Sequence, residues 1–202
     1  MEQFAFLVFV HVMAAIGVFV AFAVEGVAQV YQRRAATPDE VRAWAGSYRA
    51  VRPIWIVSLL TLIATGLWMT LAEWGWTAWI LVSIVGIVAL AVLGAIGGVR
   101  YSASVEAAVR ESGLLSTASR VALTSPLPLG LLIVRSFLAT GIVFLMSAKP
   151  DLLWSLIGLG AAAVVGTGTA ALVVERAAAG TPQLLAQRHS APRAASRPTP
   201  RR

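Results

Sequence analysis

Long apolar stretches dominate the chain, separated by short polar gaps. Five of them, near Phe4–Tyr31, Ile54–Leu71, Ala78–Val99, Leu129–Met146 and Leu152–Val174, approach or exceed the roughly 20 residues a helix needs to cross a bilayer. Backbone groups in hydrocarbon must find their hydrogen bonds within the segment, which selects helices for such runs. The pattern predicts an all-α fold: a polytopic transmembrane helical bundle of five spans over residues 1–176, followed by a tail, 177–202. Met1-Glu2-Gln3 lacks the basic start of a signal peptide and the first stretch outruns one, so it reads as a retained helix.

The polar gaps differ in charge. Loop one, Gln32–Pro53, carries Arg33, Arg34, Arg42, Arg49 and Arg52, and loop three, Arg100–Pro128, carries Arg100, Arg110 and Arg120. The tail adds Arg176, Arg188, Arg193, Arg197, Arg201 and Arg202. The opposite side has only Glu2, Glu73, Lys149 and Asp151, and Trp74, Trp76, Trp79 and Trp154 gather there. Cytoplasmic loops hold the Lys/Arg excess and Trp favours the interface, so the expected topology is N-out/C-in.

Loop one reads as more than a linker. Thr37-Pro38-Asp39-Glu40 has the form of a capping box with proline at the first helical position. Val41, Trp44, Tyr48 and Val51 then recur at three- and four-residue spacing. A cytoplasmic amphipathic helix is expected near 38–51, either lying on anionic lipid head groups or packed on the ends of the bundle. In loop three a second surface element is expected over Ser104–Ser112, broken by Gly113. A weaker helical stretch to Thr124 follows, stopped by Pro126 and Pro128 before the fourth span. The tail is rich in Ala, Pro, Arg and Ser, which predicts disorder over Gln187–Arg202.

Composition narrows the class further. Hydrophobic residues make up 58% and charged residues 12%, and the mean hydropathy is +0.81, far from the balance of a water-soluble domain. A net charge of +7 could suggest nucleic acid, but the arginines lie in the gaps and tail rather than along one face, so no nucleic-acid partner is expected. The absence of cysteine excludes disulfides, thiolate metal sites and cysteine nucleophiles.

The candidate chemistry lies inside the spans. His11, Val18, Phe22, Glu25 and Gln29 share one helical face, because separations of 7, 11, 14 and 18 residues return to within about 40°. Ionisable groups in a membrane turn towards the bundle interior, which directs this face inward. Glu25 in the first span and Arg135 in the fourth lie at matching depth and are the natural ion-pair partners. His11 is roughly 21 Å of helix from Glu25, too far for one catalytic dyad. It reads either as a hydrogen bond to a neighbouring helix or as a cofactor ligand. Ser58, Thr61 and Thr65 form a hydroxyl stripe suited to interhelical hydrogen bonds, with Thr65 at the depth of His11. Gly94 and Gly98 in the third span, and Gly158, Ala162, Gly166 and Ala170 in the fifth, are small-residue faces for packing within the chain or for a homodimer.

No Walker loop, HExxH, GxSxG or pair of carboxylates at membrane depth is present, and no catalytic or metal-ligating residue is assigned. No cofactor is expected, haem b being the one exception considered. His11 is the only histidine inside a span, which leaves the thioethers Met13, Met69 and Met146 as second axial donors, with Met69 and Met146 placed close to the outer surface.

Three fragments carry a resemblance: His11-Val-Met-Ala-Ala-Ile-Gly, Pro53 with Thr65-Gly66-Leu67-Trp68, and Phe144-Leu-Met-Ser-Ala-Lys149-Pro150. Over Phe4 to Pro150 the chain resembles the bacterial integral membrane proteins grouped as domain of unknown function 2269. The resemblance implies a multi-pass protein of the bacterial cytoplasmic (inner) membrane, with the fifth span and basic tail as additions to a four-helix pattern. The start of the first span is also similar to the copper-resistance D-type membrane proteins, whose histidines are associated with haem or copper; of these only His11 has a counterpart here. The resulting expectation is a non-enzymatic subunit or accessory of a membrane complex, with the bilayer and a membrane-protein partner or a second copy as its partners. The alternative is a small transporter or a haem- or copper-handling protein using His11.

Overall fold

The computed structural model describes residues 2–190, and of residues 177–190 only the helical backbone. The elements are α1 (Glu2–Arg34), α2 (Pro38–Met69), α3 (Ala78–Val109), α4 (Thr117–Leu123), α5 (Pro126–Ala148) and α6 (Leu152–Ser190), with a π-helical turn, Thr70–Trp74, prolonging α2. No strand occurs among the described residues. Five helical segments are long and apolar enough to cross a membrane: α1, α2, α3, α4 with α5, and α6. The helical backbone of α6 continues to Ser190, past the start of the stretch expected to be disordered. The rest of that stretch, 191–202, with Arg193, Arg197, Arg201 and Arg202, lies outside the described residues.

The polar gaps are more helical than the sequence suggests. Segment 38–51 is helical, with the Thr37 hydroxyl accepting from the Glu40 N–H and the Glu40 carboxylate accepting from the Ala36 N–H. It is not a separate helix, however, because α2 runs through Pro53 into the second span. Proline removes one helical hydrogen bond and crowds the carbonyl four residues back. Pro53 is exposed and stands just before the apolar stretch that begins at Ile54. The third span likewise continues to Val109 without forming a second surface element, and the chain turns at Gly113, φ +78°. The weaker stretch is α4, which ends at Leu123 with Thr124 as its cap, before the prolines as expected; Pro126 is also the first residue of α5, a position whose N–H has no helical partner to lose.

Packing divides the bundle into two groups. α1 lies along α2, while α5 lies along both α3 and α6. Contacts between the groups, α2 with α3 and α1 with α5, are sparser, and α1 and α3 pack on these neighbours rather than on each other. Lipid gives helices no hydrophobic reason to associate, so close backbone approach and interhelical polar contacts must hold them. At the α5–α6 seam, Cβ atoms added at Gly158 and Gly166 would lie 3.0 Å from a Phe144 ring carbon and 2.9 Å from Phe137 Cβ. Ala162 sits against Gly141, and Ala170 against Gly130. The small-residue face of the fifth span is therefore occupied by α5 of the same chain. Mid-bundle, Val18, Phe22, Leu90, Leu132, Leu138, Ala139 and Ile142 form the core. A second cluster, Ala35, Val41, Ala108, Leu115 and Leu123, closes the arginine-rich end.

Candidate functional site

The inward face of α1 supplies polar groups at two levels. In the arginine-rich half, Arg135 Nη1 on α5 lies 3.4 Å from both carboxylate oxygens of Glu25. Both residues are buried, at 4% and 8% exposure. Charge-assisted hydrogen bonds are usually about 2.7–2.9 Å long, so this is an electrostatic pair rather than a close fork. The Gln29 amide donates to Glu25 Oε1 at 3.2 Å. The Arg135 guanidinium also lies 4.6 Å from the Phe22 ring centre and 5.8 Å from that of Trp55, where aromatic faces attract a cation. Arg135 Nε is buried and has no hydrogen-bond partner among the described residues. A Cβ on Gly94 would lie 3.2 Å from Arg135 Cζ, so this glycine makes room for the guanidinium. Gly98 instead faces the Tyr48 hydroxyl, 3.8 Å from where its Cβ would be.

Nearer the arginine-rich end, Gln32 joins three helices. Its amide donates to the Val41 carbonyl at 3.2 Å, and its oxygen accepts from the Tyr101 hydroxyl. The Tyr101 ring meets Tyr48 edge to face at 5.1 Å, and Trp44 stacks on Tyr31 at 4.3 Å. The apolar stripe of 38–51 is therefore turned onto the ends of α1 and α3. Sequence reasoning stopped at Gln29 and missed Gln32, although it lies one turn further along the same helix.

In the tryptophan-rich half, His11 is 8% exposed and touches two helices. Its Nδ1 is 2.8 Å from the Thr65 hydroxyl, and its Nε2 is 3.4 Å from Met146 Sδ. The Thr65 hydroxyl is also 2.6 Å from the Thr61 carbonyl, to which it donates as threonines in helices commonly do. With the hydroxyl proton on that carbonyl, Nδ1 donates to Thr65; with the hydroxyl turned to Nδ1, Nε2 carries the ring proton and donates to the Met146 sulfur, so the contacts fit either tautomer. A Cβ on Gly66 would lie 3.4 Å from His11 Cε1, so that glycine gives the ring its room. Ser58 meets α1 by packing over Gly17, where a Cβ would collide with its hydroxyl. Thr61 contributes its carbonyl to the His11 arrangement. Met146, placed near the outer surface by the sequence reading, is at the depth of His11.

A cleft of about 800 Å³ opens beside His11, between α1 and α3, and its lining is predominantly apolar. The π-helical turn places Trp74 at its tryptophan-rich end, 5.3 Å from Trp79 and 5.9 Å from Phe4. Lys149 ends α5 in the left-handed region, φ 47° and ψ 51°, with its backbone N–H donating to the Leu145 carbonyl. This conformation is uncommon for a residue with a Cβ and ends the helix before Pro150. The Lys149 ammonium lies 4.6 Å from the Trp74 ring centre and 6.0 Å from that of Trp79.

The donor set can be tested against the cofactors considered. Axial haem ligands lie on opposite sides of the iron, so with bonds of about 2.0 and 2.3 Å a nitrogen and a sulfur would stand about 4.3 Å apart. His11 Nε2 and Met146 Sδ are 3.4 Å apart, so haem does not fit between them as they stand. The same distance suits two adjacent ligands of one soft cation. Among the described residues no three His, Cys, Asp or Glu side chains converge. No protein-family model matches the chain, and no curated protein or solved structure is significantly similar to it.

Proposed function

We propose that this chain is a multi-pass protein of the bacterial cytoplasmic membrane, N-out/C-in, and a non-enzymatic accessory subunit of a larger membrane complex. Its own part there is to hold a lipid-soluble molecule in the cleft between α1 and α3. The cleft carries this reading, because its volume lies within the range of ligand pockets and its apolar wall is broken by only a few polar groups. The resemblance to the domain of unknown function 2269 proteins supports the location. It also gives the cleft weight: His11, Thr65, Gly66, Met146 and Lys149, drawn from all three fragments, lie around it. A photo-crosslinking amino acid at Ile84, on the cleft wall, tests the reading in intact membranes. An adduct of a few hundred daltons is expected there and not at the outward-facing Val164, 72% exposed. Crosslinking of Ile84 to another polypeptide, or to the same bulk phospholipids as Val164, would refute the ligand role.

A second reading, the handling of a soft cation such as monovalent copper, is favoured by the nitrogen–sulfur pair of His11 and Met146. It requires Met146→Leu to abolish metal retention while leaving the Ile84 adduct unchanged.

A further inference from the structure

We propose that an anionic phospholipid is held at the arginine-rich end of the gap between α2 and α3, its phosphate resting on Arg49, Arg52 and the Tyr48 hydroxyl. Several basic side chains at this end already have partners. Arg42 pairs with Asp39, Arg110 with Glu106 and Arg135 with Glu25. Arg33 donates to the carbonyls of Thr124 and Ser125, and Arg120 to those of Leu115 and Ala36. Arg49 and Arg52 are exposed and make no ion pair or hydrogen bond among the described residues.

The acids of this end are committed elsewhere. Besides Glu25, Asp39 and Glu106, the Glu40 carboxylate accepts from the Ala36 N–H, and that of Glu111 from Ser116 and Ser119. Glu175 stands on α6, which packs on α3 and α5. Arg49 and Arg52, three residues apart, are neighbours on the helix surface, and two adjacent cations without a counter-ion favour an external anion. Tyr48, one turn before Arg52, adds a donor. Its hydroxyl has no hydrogen-bond partner among the described residues and lies 3.8 Å from where a Gly98 Cβ would be. The charges acting on that hydroxyl are those of Glu25, Arg135 and Arg52, two cations against one carboxylate. Arg135, against Gly94 one turn deeper, has an unpartnered Nε, so its single loose pair leaves positive charge uncompensated beneath the site.

Depth and surroundings select a lipid as the bearer of that anion. Arg52 is followed by Pro53 and then by the apolar stretch from Ile54, which places its guanidinium where head groups meet hydrocarbon. Ile56, one turn beyond Arg52 on the same face, is 40% exposed and offers an apolar track for an acyl chain. The contact between α2 and α3 is sparse, and Gly98 leaves room beside Tyr48. Under the proposed orientation this is the cytoplasmic leaflet, whose anionic lipids attract basic segments. Phosphatidylcholine carries an ammonium with its phosphate and brings no net charge to offset the arginines, whereas phosphatidylglycerol brings a negative one. An acidic peptide would meet the arginines but not the apolar track.

Full-length protein, stripped of lipid in mild detergent, can be titrated with dioleoyl phosphatidylglycerol or dioleoyl phosphatidylcholine, and the bound lipids counted by native mass spectrometry. The first phosphatidylglycerol should bind roughly tenfold more tightly than the first phosphatidylcholine, the worth of one charge-assisted hydrogen bond. Arg49→Gln combined with Arg52→Gln should remove that preference. Tyr48→Phe, which keeps the ring against Tyr101, should lower it severalfold. Arg100→Gln is the control for diffuse charge attraction and should leave the preference intact. Arg100 is exposed and lies two residues past Gly98, about 200° away from it around α3. Equal binding of the two lipids, a preference that survives the double substitution, or the same loss in Arg100→Gln would overturn the proposal. Displacement of the lipid by millimolar glycerol phosphate would show a free-phosphate site and overturn it too. So would a co-purifying acidic polypeptide that is lost in the double variant while its lipid count stays the same.

Discussion

At Gly94 the space that a Cβ would fill is taken by the Arg135 guanidinium, three of whose atoms lie 3.2–3.3 Å from that position. Gly94→Ala must push the guanidinium aside and stretch a pair already 3.4 Å long. A loss of about 1–3 kcal/mol is expected, the usual range for overpacking, seen as a lower melting temperature in detergent. In an Arg135→Met background the same change should cost less than about 1 kcal/mol. Equal losses in both backgrounds would show that Gly94 serves only helix approach. From the sequence Gly94 reads as a helix-packing residue, because a glycine does not reveal which neighbour fills its space. Glu25 and Arg135 were easier to associate, since depth can be counted along each helix from the arginine-rich end. The contact of His11 with Met146 was not legible, since it spans 135 residues and depends on the rotation of α5.

At the scale of elements, the join between α3 and α4 is held by one carboxylate. Glu111 accepts from the Ser116 N–H at 2.6 Å, the Ser116 hydroxyl at 2.7 Å and the Ser119 hydroxyl at 2.6 Å. The bond from Ser119 above all, and then those from Ser116, hold its pKa below the ordinary 4.5. A carboxyl lowered on folding stabilises the fold fully above its unfolded value, and the effect is lost as pH falls through the folded one. Amide exchange at Ser116 should therefore be faster in Glu111→Gln than in the wild type at neutral pH. The two should converge on acidification below about 4.5; a constant ratio across that range would show that the carboxylate does not hold the turn. The helical character of 38–51 was readable from its cap and stripe, but its continuity with the second span was not. Proline is read as a stop from local chemistry alone, whereas Pro53 lies on an exposed face of a helix packed on both sides of it.

For the whole molecule, the five apolar stretches match the five helical segments long and apolar enough to cross a membrane, because length and hydropathy suffice to mark such a segment. The grouping of α1 with α2 apart from α3, α5 and α6 is a property of paired surfaces and leaves little trace in any one segment. The proposed N-out/C-in orientation rests on the arginine asymmetry. A reporter active only in the cytoplasm, fused after Arg202, should function, and a periplasm-only reporter working there would reverse the topology.

The unbroken course of α2 has a mechanical meaning. One end of this rod carries Trp44 and Tyr48, stacked against Tyr31 and Tyr101, and near the other Thr65 holds the His11 ring. Tyr48 and Thr65 are about 25 Å apart along the axis. A tilt imposed on the 38–51 segment by a lipid surface or a bound protein has two outlets. Either the rod flexes at Pro53, where a hydrogen bond is missing, or the displacement travels along it and shifts Thr65 beneath the imidazole. The stiffness of α2 at one proline thus decides whether events on the arginine-rich side are felt in the cleft near the opposite face.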